Sequence, residues 1–445
     1  MSLVGKPGYQ ETAVGWIPWD WNVKRLGDIC AVITKGTTPT TVGFSYQPTG
    51  INFVKVESID GFGNIDLKKV AHISEEAHDA LKRSKLREGD ILYSIAGAIG
   101  RTAIVKLHHL PANTNQALAI VRPEGQIHTP YLRFALASET QLSHISQISV
   151  SSAQANISLK DVSSFSIAFP SPPEQQKISA ILTAVDDKLG VVARQIEATQ
   201  TLKQGLMQTL FSRGVGTQDA NGRWEPHVEF KDSELGSIPS DWTVATVGDV
   251  CEVKGGKRLP KGETLTEENT GYPYIRVTDM FMGGVDPTGI LYVPSQVQAS
   301  IARYTISKHD IFISVAGTLG LVGIVPEELD GANLTENADK LTDIKINRDY
   351  LFYCLCSDAI QDLIAREATS NAQPKLALTR IREFSFPLPP DEEQARIATI
   401  LVSVDEKLRL LSTKRESFLS LKRGLMQKLL TGEWRVKLDS PTGIA

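Results

Sequence analysis

The nonamer LKQGLMQTL at Leu202–Leu210 returns as LKRGLMQKL at Leu421–Leu429, seven of nine letters kept, 219 residues further along a chain of 445. A repeat with a period near half the chain constrains the fold first, because whatever one half builds the other must build again. The likeness extends upstream. EQQKISAILTAVDDKL (Glu174–Leu189) aligns with EQARIATILVSVDEKL (Glu393–Leu408), and over Glu174–Leu210 against Glu393–Leu429 there are 17 identities in 37 positions. Weaker matches precede these: GWIPWDWNVKRLGDIC (Gly15–Cys30) with GSIPSDWTVATVGDVC (Gly236–Cys251), FVKV with YIRV, GDILYSIAGAIG with HDIFISVAGTLG, and AQANISL with AQPKLAL. Each half is therefore a divergent segment of about 155 residues followed by a better-matched one of about 40, read from the same alignment.

The better-matched segments read as long helices. Pro172–Pro173 and Pro389–Pro390 suit a helix start, and Glu174, or Asp391 with Glu392 and Glu393, places negative charge on the first turn. Apolar residues then recur at spacings of four and three: Ile178, Leu182, Val185, Leu189, Val192 and Ile196, and in the second copy Ile397, Leu401, Val404, Leu408, Leu411 and, after Arg415, Phe418. That is a coiled-coil seam. A single amphipathic rod cannot bury its stripe, but two copies can bury each other. Chain direction makes them antiparallel and related by an approximate twofold. Gly205 and Gly424 are poor helix formers: either they permit close approach of another backbone or they are merely tolerated, and their presence in both copies favours the first. The domain boundaries expected are 1–170 and 236–387 for the two variable domains, 171–213 and 388–431 for the spacer helices, 214–235 for a polar linker, and 432–445 for a tail. Within the variable domains, Ile51–Ile59, Asp90–Ala96 and Arg101–Leu107 read as strands, and Pro130–Ser146 and Asp349–Glu367 as one helix each. The fold class is α+β: two tandem α+β domains separated by two long helices in an antiparallel coiled coil, pseudo-twofold symmetric.

Composition narrows the function. A net charge of −4 argues against coating nucleic acid by bulk attraction, though not against a local basic surface. No run of eighteen apolar residues is present. The first residues lack an apolar signal core, and four cysteines suit a reducing compartment, so a cytoplasmic location is expected. Cys30 and Cys251 read as small buried side chains, and Cys354 and Cys356 form a lone C-x-C without further ligands, so no metal site is expected. There is no phosphate-binding loop, no H-E-x-x-H, no G-x-S-x-G and no Asn-Pro-Pro-aromatic tetrapeptide. AGAIG and AGTLG read as tight turns after a strand. No catalytic residue is assigned.

What stands out is polar and basic material in loops at matched places. VKGGKRLPKG (Val253–Gly262) carries Lys254, Lys257, Arg258 and Lys261; its counterpart ITKGTTPTT (Ile33–Thr41) carries Lys35, Thr37 and Thr38. Lys55 matches Arg276, and ANTNQA offers Asn113, Asn115 and Gln116, with Asn333 and Asn337 in the other half. These are the side chains that hold phosphates and read base edges. For each residue singly, a solvated polar loop remains the alternative.

These patterns together resemble the specificity subunit of type I DNA restriction–modification enzymes, over essentially the whole chain. The carriers are PSPPEQQKI and PLPPDEEQARI, the DDKL/DEKL and GLMQ steps, and the W…LGD, GDILYS…G…G and AQANISL signatures. His309 stands where Gly89 opens GDIL, and two extra residues follow Pro390. The resemblance implies two target recognition domains, each reading one half of a bipartite double-stranded DNA site, with the rods fixing the gap and docking two methyltransferase subunits. Those partners would carry S-adenosylmethionine, and restriction subunits would carry the ATP and Mg chemistry. A competing reading is a scaffold that clamps two protein partners without touching DNA. An enzyme of unrecognised type would need activity from the isolated chain.

Overall fold

The computed structural model describes residue 5 and residues 7–149, 156–219, 221–369 and 375–438. The first three residues of each AQ motif, 153–155 and 372–374, lie outside these, as does the end of the tail. No described helix is long and apolar enough to cross a membrane. The chain divides into two compact units, Met1–Gln195 with Leu411–Ala445, and Ile196–Leu410.

Both long helices form, as Pro172–Arg213 and Asp391–Leu430. The unit boundary cuts each of them, so each unit holds one head, the start of that head's own helix and the end of the other helix.

In the first unit the head is a four-stranded antiparallel sheet, ordered Cys30–Lys35, Leu118–Pro123, Ile91–Ser94, Thr102–Ile104, beside a three-stranded sheet of Ala71–Ile73, Ile51–Val54 and Ala112–Thr114. The second unit repeats the plan with Glu252–Gly255, Ala338–Thr342, Ile311–Ser314 and Val322–Ile324. Its smaller sheet adds a fourth strand, in the order Leu291–Tyr292, Pro273–Ile275, Ala332–Leu334, Thr305–Ile306. The expected strands at 51–59, 90–96 and 101–107 form with shorter bounds, and the chain after Val54 turns through a 3-10 step at Val56–Ser58. The AGAIG and AGTLG turns close by Gly100 N–H on the Ser94 carbonyl at 3.0 Å and Gly320 N–H on the Ser314 carbonyl at 2.9 Å.

Three repeated letters of the sequence acquire a structural reason. Trp21 donates its indole N–H to Glu174 at 3.2 Å in the first unit, and Trp242 to Glu393 at 2.7 Å in the second. Gln175 donates to the Pro170 carbonyl at 2.9 Å and accepts from His128 N–H at 2.8 Å; Gln394 does the same with Pro389 and Asn347, at 2.8 and 3.0 Å. Each Glu-Gln pair thus ties a long-helix start to the head before it, satisfying N–H groups at a helix start that would otherwise be unpaired.

The nonamer works on the opposite side. In the first unit Lys422 Nζ lies 2.6 Å from Asp186, and Arg435 lies 2.7 Å from Glu174. In the second unit Lys203 Nζ lies 2.6 Å from Asp405, while the Val215 and Gly216 N–H groups donate to Glu393. Within each unit the partner numbers rise on one helix as they fall on the other, so the helices run antiparallel. The Lys of LKQG/LKRG is the counter-ion of the first Asp of DDKL/DEKL. Leu206, Met207 and Leu210 pack into the second unit's core, and Leu425, Met426, Leu429 and Leu430 into the first's.

Four expectations are corrected. The seam residues Ile178, Leu182, Val185, Leu189, Val192, Ile397, Leu401, Val404 and Leu411 are buried, and Ile196, Leu408 and Phe418 half-buried. Yet Ile178 and Leu182 join the first head's core, and Ile397 and Leu401 the second's, so the seam begins as helix-on-head packing. Gly205 and Gly424 face open space; a Cβ at either would meet nothing within 4 Å, so no backbone approach requires them. Each head helix is two: Thr129–Leu136 with Glu139–Ser149, and Arg348–Leu355 with Asp358–Thr369. The break falls at Ser138 and Ser357, whose residue type favours a fresh N-cap over helix interior. The stretch 214–235 is not a plain linker. It pairs Thr217–Gln218 with Trp224–Glu225 around an Asn-Gly turn, and Phe230–Ser233 pairs with Gly236–Pro239.

Candidate nucleic-acid interface

Each head builds the same loop frame at one place in its sheet, lining a cleft in the second unit, and the hydrogen-bond register makes the two comparable residue by residue. Gly36 N–H donates to Leu118 O at 3.4 Å and Gly256 N–H to Ala338 O at 3.1 Å. Thr37 N–H donates to Thr114 O at 3.1 Å and Lys257 N–H to Leu334 O at 2.8 Å. A Cβ at Gly36 would collide with the Thr114 carbonyl, and one at Gly256 with that of Thr335, which is why both loops keep glycine there. Ile95 N–H reaches Ala117 O at 2.9 Å and Val315 N–H reaches Asn337 O at 2.7 Å; Ile157 N–H reaches Ile95 O at 3.0 Å and Leu376 N–H reaches Val315 O at 3.0 Å. The loop at 35–38 or 255–258, the turn at 115–117 or 335–337, and the segment at 156–157 or 375–376 therefore frame one architecture twice.

The loop candidates gather at this frame. In the first unit Lys35 is exposed, Thr38 hydrogen-bonds exposed Gln116, and Thr37 accepts from Arg83 at 3.4 Å. In the second, Arg258 Nε lies 3.2 Å from Glu336, the register equivalent of the Thr38–Gln116 contact. Lys257 is exposed, with its ammonium 5.8 Å from the Tyr304 ring centre. Lys254, at 2.5 Å from Glu252 and 3.5 Å from Asp343, is held above the ordinary lysine range chiefly by its hydrogen bond to Glu252. Lys261 is exposed beyond the loop.

Other candidates do different work. Asn113 is fully buried and donates to Leu81 O at 3.1 Å and Ser84 Oγ at 3.2 Å; Asn333 repeats this with Ile301 O at 2.8 Å. Asn113 is a pin between strand and loop, and its side chain is not presented to a ligand. Asn115 accepts from Ala117 N–H at 3.2 Å and shapes the turn. Arg276 grips Asp279 through Nε at 2.9 Å and Nη2 at 2.6 Å, and donates to Gly289 O at 3.1 Å. Lys55, at the matching place, sits 3.5 Å from Glu57 and 4.7 Å from the Tyr46 ring centre. Both brace a short 3-10 turn.

The structure adds basic residues that sequence reasoning missed. A cleft of about 990 Å3 in the first unit is lined by Lys82, Arg83, Lys85, Arg87 and Arg122, and a smaller one of about 380 Å3 in the second by Lys254, Arg303 and Lys340. Arg122 is clamped by Asp90 at 2.7 Å and Lys340 lies 3.5 Å from Asp310, but Arg83 and Arg303 are exposed and occupy the same position 220 residues apart. The run KRSKLR at Lys82–Arg87 was the available signal.

Among the described residues one group has metal-ligand geometry, His227, Asp241 and Glu393 in the second unit. Its geometry is that of a charge clasp. Glu393 Oε1 accepts from Val215 and Gly216 N–H at 2.8 and 3.0 Å, Oε2 accepts from Trp242, and His227 Nε2 lies 3.1 Å from both oxygens. In the first unit Arg435 stands between the equivalent carboxylates, Nη2 at 2.8 Å from Asp20 and 2.7 Å from Glu174. In the first unit a guanidinium occupies the place an ion would take, and in the second hydrogen-bond donors already engage both Glu393 oxygens. Burial pushes the Cys30 and Cys251 thiols up to about 12, the state of inert packing groups.

Two duplicated α+β heads, each with a basic cleft on a rigid sheet, define a two-part nucleic-acid reader. The family profile described as the type I restriction modification DNA specificity domain matches residues 18–199 and again 239–418, and the chain belongs to that family. It is 29% identical over 443 residues to a chain of Methanocaldococcus jannaschii assigned as the MjaX type I restriction enzyme specificity subunit, covering 96% of this chain and 97% of that one. The EcoBI specificity subunit of Escherichia coli is 30% identical over 203 residues, covering 44% of this chain and 41% of its own. In fold the chain resembles the crystal structure of a type I S subunit from M. genitalium, with a TM-score of 0.57 at 19% identity and coverage of 92% and 96%. This is a DNA-recognition subunit of a type I restriction–modification complex, one that assembles with other subunits.

Proposed function

We propose that each unit reads one half of a bipartite double-stranded DNA site through its cleft, and that two methyltransferase subunits dock on the long helices. The observation that carries this is the pairing of one backbone architecture with two different side-chain linings. A dimer of identical readers would specify a palindrome; two unlike linings specify unlike halves. S-adenosylmethionine would then be held by the methyltransferase partners, and ATP and Mg by a restriction subunit.

Exposed Lys35, Arg83, Lys257, Arg258 and Arg303 supply the phosphate-neutralising charge that net acidity would otherwise deny. The test is to map methylated bases made by the chain assembled with its methyltransferase partner. Two unlike sequence elements at a fixed separation are expected. One uninterrupted element, or none, refutes the reading. The scaffold alternative predicts that replacing Lys254, Lys257 and Arg258 with Ala leaves methylation untouched, whereas the reading here predicts a salt-sensitive loss of DNA binding.

A further inference from the structure

Five positions line a cleft in the second unit and have register equivalents in the first, and the two sets differ in kind. The second unit has Lys257, Arg258, Glu336, Asp339 and Lys375, all charged; the first has Thr37, Thr38, Gln116, Ala119 and Asn156, none charged. The strand pairing fixes the fourth position, since Ala119 faces Lys35 and Asp339 faces Gly255 across the same pair of strands. Ala119 is fully buried in the first head's core. Asp339 is 5% exposed and lines a cleft of about 500 Å3 together with the other four charged residues.

Asp339 is the anomaly. Buried carboxylates are normally paired or hydrogen-bonded. Among the described residues Asp339 receives no hydrogen bond and no ion pair. Its strand neighbour Gly255 leaves room above it, because a Cβ there would come within 3.3 Å of Asp339 Oδ1. Burial raises its carboxyl to about 6, and Lys375 only partly offsets that. An acceptor without a protein hydrogen bond, lining a cleft together with Lys257 and Arg258, is suited to a ligand that brings its own donor along with negative charge. A nucleobase with an exocyclic amino group, carried on a phosphate backbone, is such a ligand.

Resting on the DNA reading above, we propose that these five positions set the sequence difference between the two half-sites, and that Asp339 is the specificity-determining acceptor for an exocyclic amino group, adenine N6 or cytosine N4, in the half read by the second unit. Glu336, bridged to Arg258, positions that arginine. The first unit, with Ala119 in place of Asp339, makes no such demand and reads by amide and hydroxyl groups.

The test uses the full chain assembled with its methyltransferase partner, assayed for methylation on duplexes randomised in one half-site at a time. Asp339→Asn keeps the shape and replaces one acceptor oxygen by a donor amide. We expect it to lose the amino-bearing base at one position of the second unit's half-site, with a roughly 10- to 100-fold fall in rate on the parental sequence and the other half-site unchanged. Duplexes with purine in place of adenine, or a pyrimidine lacking the 4-amino group in place of cytosine, show which amine is read: the parent should discriminate against one of them and Asp339→Asn should not. Because Asp339→Asn removes a buried charge, folding is not at risk; Glu336→Gln, a surface change, gives a second reading of the same cleft and should weaken preference without abolishing it. Unchanged preference and rate in Asp339→Asn overturns the inference, provided Lys257→Ala with Arg258→Ala still weakens DNA binding. If that double variant also binds DNA as the parent does, the failure lies in the DNA reading of the cleft itself.

Discussion

Removing the Glu393 carboxylate should open the second unit at one identifiable place. Four groups converge on it: the N–H of Val215 at 2.8 Å, the N–H of Gly216 at 3.0 Å, the indole of Trp242 at 2.7 Å and the His227 ring at 3.1 Å. Trp242 is fully buried, and the loop 214–216 presses against it, since a Cβ at Gly214 would strike its ring. In Glu393→Ala three N–H donors lose their acceptor. At about 1–2 kcal/mol for each unsatisfied donor, the loss is about 3–6 kcal/mol, less whatever water recovers at the half-buried Val215. Glu174→Ala in the first unit is the internal comparison. There only Trp21 Nε1 is stranded in the interior, while half-exposed Arg435 keeps its two contacts to Asp20 at 2.9 and 2.8 Å, so about 1–2 kcal/mol is expected. Hydrogen exchange read by mass spectrometry resolves the two. Protection of the amides at 215 and 216 should fall by about two to four orders of magnitude in Glu393→Ala, in step with the energy. Equal effects of the two substitutions, or unchanged exchange at 215 and 216, would refute the reasoning that these donors are held by Glu393.

Asp186 sits between Arg133 and Lys422, at 2.6 Å from each, with 6% of its side chain exposed. Asp186→Ala leaves a buried guanidinium unpaired and should destabilise the first unit by about 3–5 kcal/mol in urea titration. The equivalent Asp405→Ala breaks a pair exposed by about a third and strands the buried Tyr353 hydroxyl that donates to Asp405 at 2.7 Å, so about 2–3 kcal/mol is expected, still less than for Asp186→Ala. Asp339 gives a pH signature. Its folded-state carboxyl near 6 lies above the ordinary 3.8, so the charged form is penalised by folding; the penalty is full above pH 6 and fades towards pH 4. Asp339→Asn should therefore stabilise the second unit by roughly 1–3 kcal/mol at pH 7.5 and by almost nothing at pH 4, as thermal unfolding at the two pH values will show. Gly205→Ala and Gly424→Ala, both facing open space in helix interiors, should each stabilise by about 0.5–1 kcal/mol, and a loss in either would mean a packed neighbour.

The long helices were legible because a sustained spacing of four and three has one physical meaning, a stripe that must be buried. What buries it was not. Periodicity reports that Ile178 and Leu182 leave water, and it is silent on whether they meet a helix or a head. The split head helices hid for a related reason: the apolar pattern runs unbroken across Ser138 and Ser357, and only the backbone shows the second helix starting there. Polarity misled at Asn113, because an amide in a turn-like tetrapeptide reads as exposed while this one satisfies carbonyls in the core. Arg83 lies in the basic run KRSKLR, a local signal that was there to be read, but Arg303 and Asp339 carry none; each is one charged letter, and becomes meaningful only when strand pairing places it beside its neighbours.

The pattern of repetition follows from where each residue finds its partner. Lys203 answers Asp405 and Lys422 answers Asp186, so a change in one copy of the nonamer is felt by the other copy of the Asp-containing helix. Trp21 with Glu174, and Trp242 with Glu393, are tied in the same way across about 150 residues each, the head's first strand region to its own helix. A residue whose partner belongs to the other half cannot drift alone without leaving a buried charge or donor unmatched, which costs several kcal/mol. Cleft residues have no such partner. Thr38 with Gln116, and Arg258 with Glu336, contact only within their own head, and each pair could be exchanged without disturbing anything beyond the cleft. The chain can therefore hold its frame fixed while its two cleft surfaces diverge, as the proposed reading of two unlike half-sites requires.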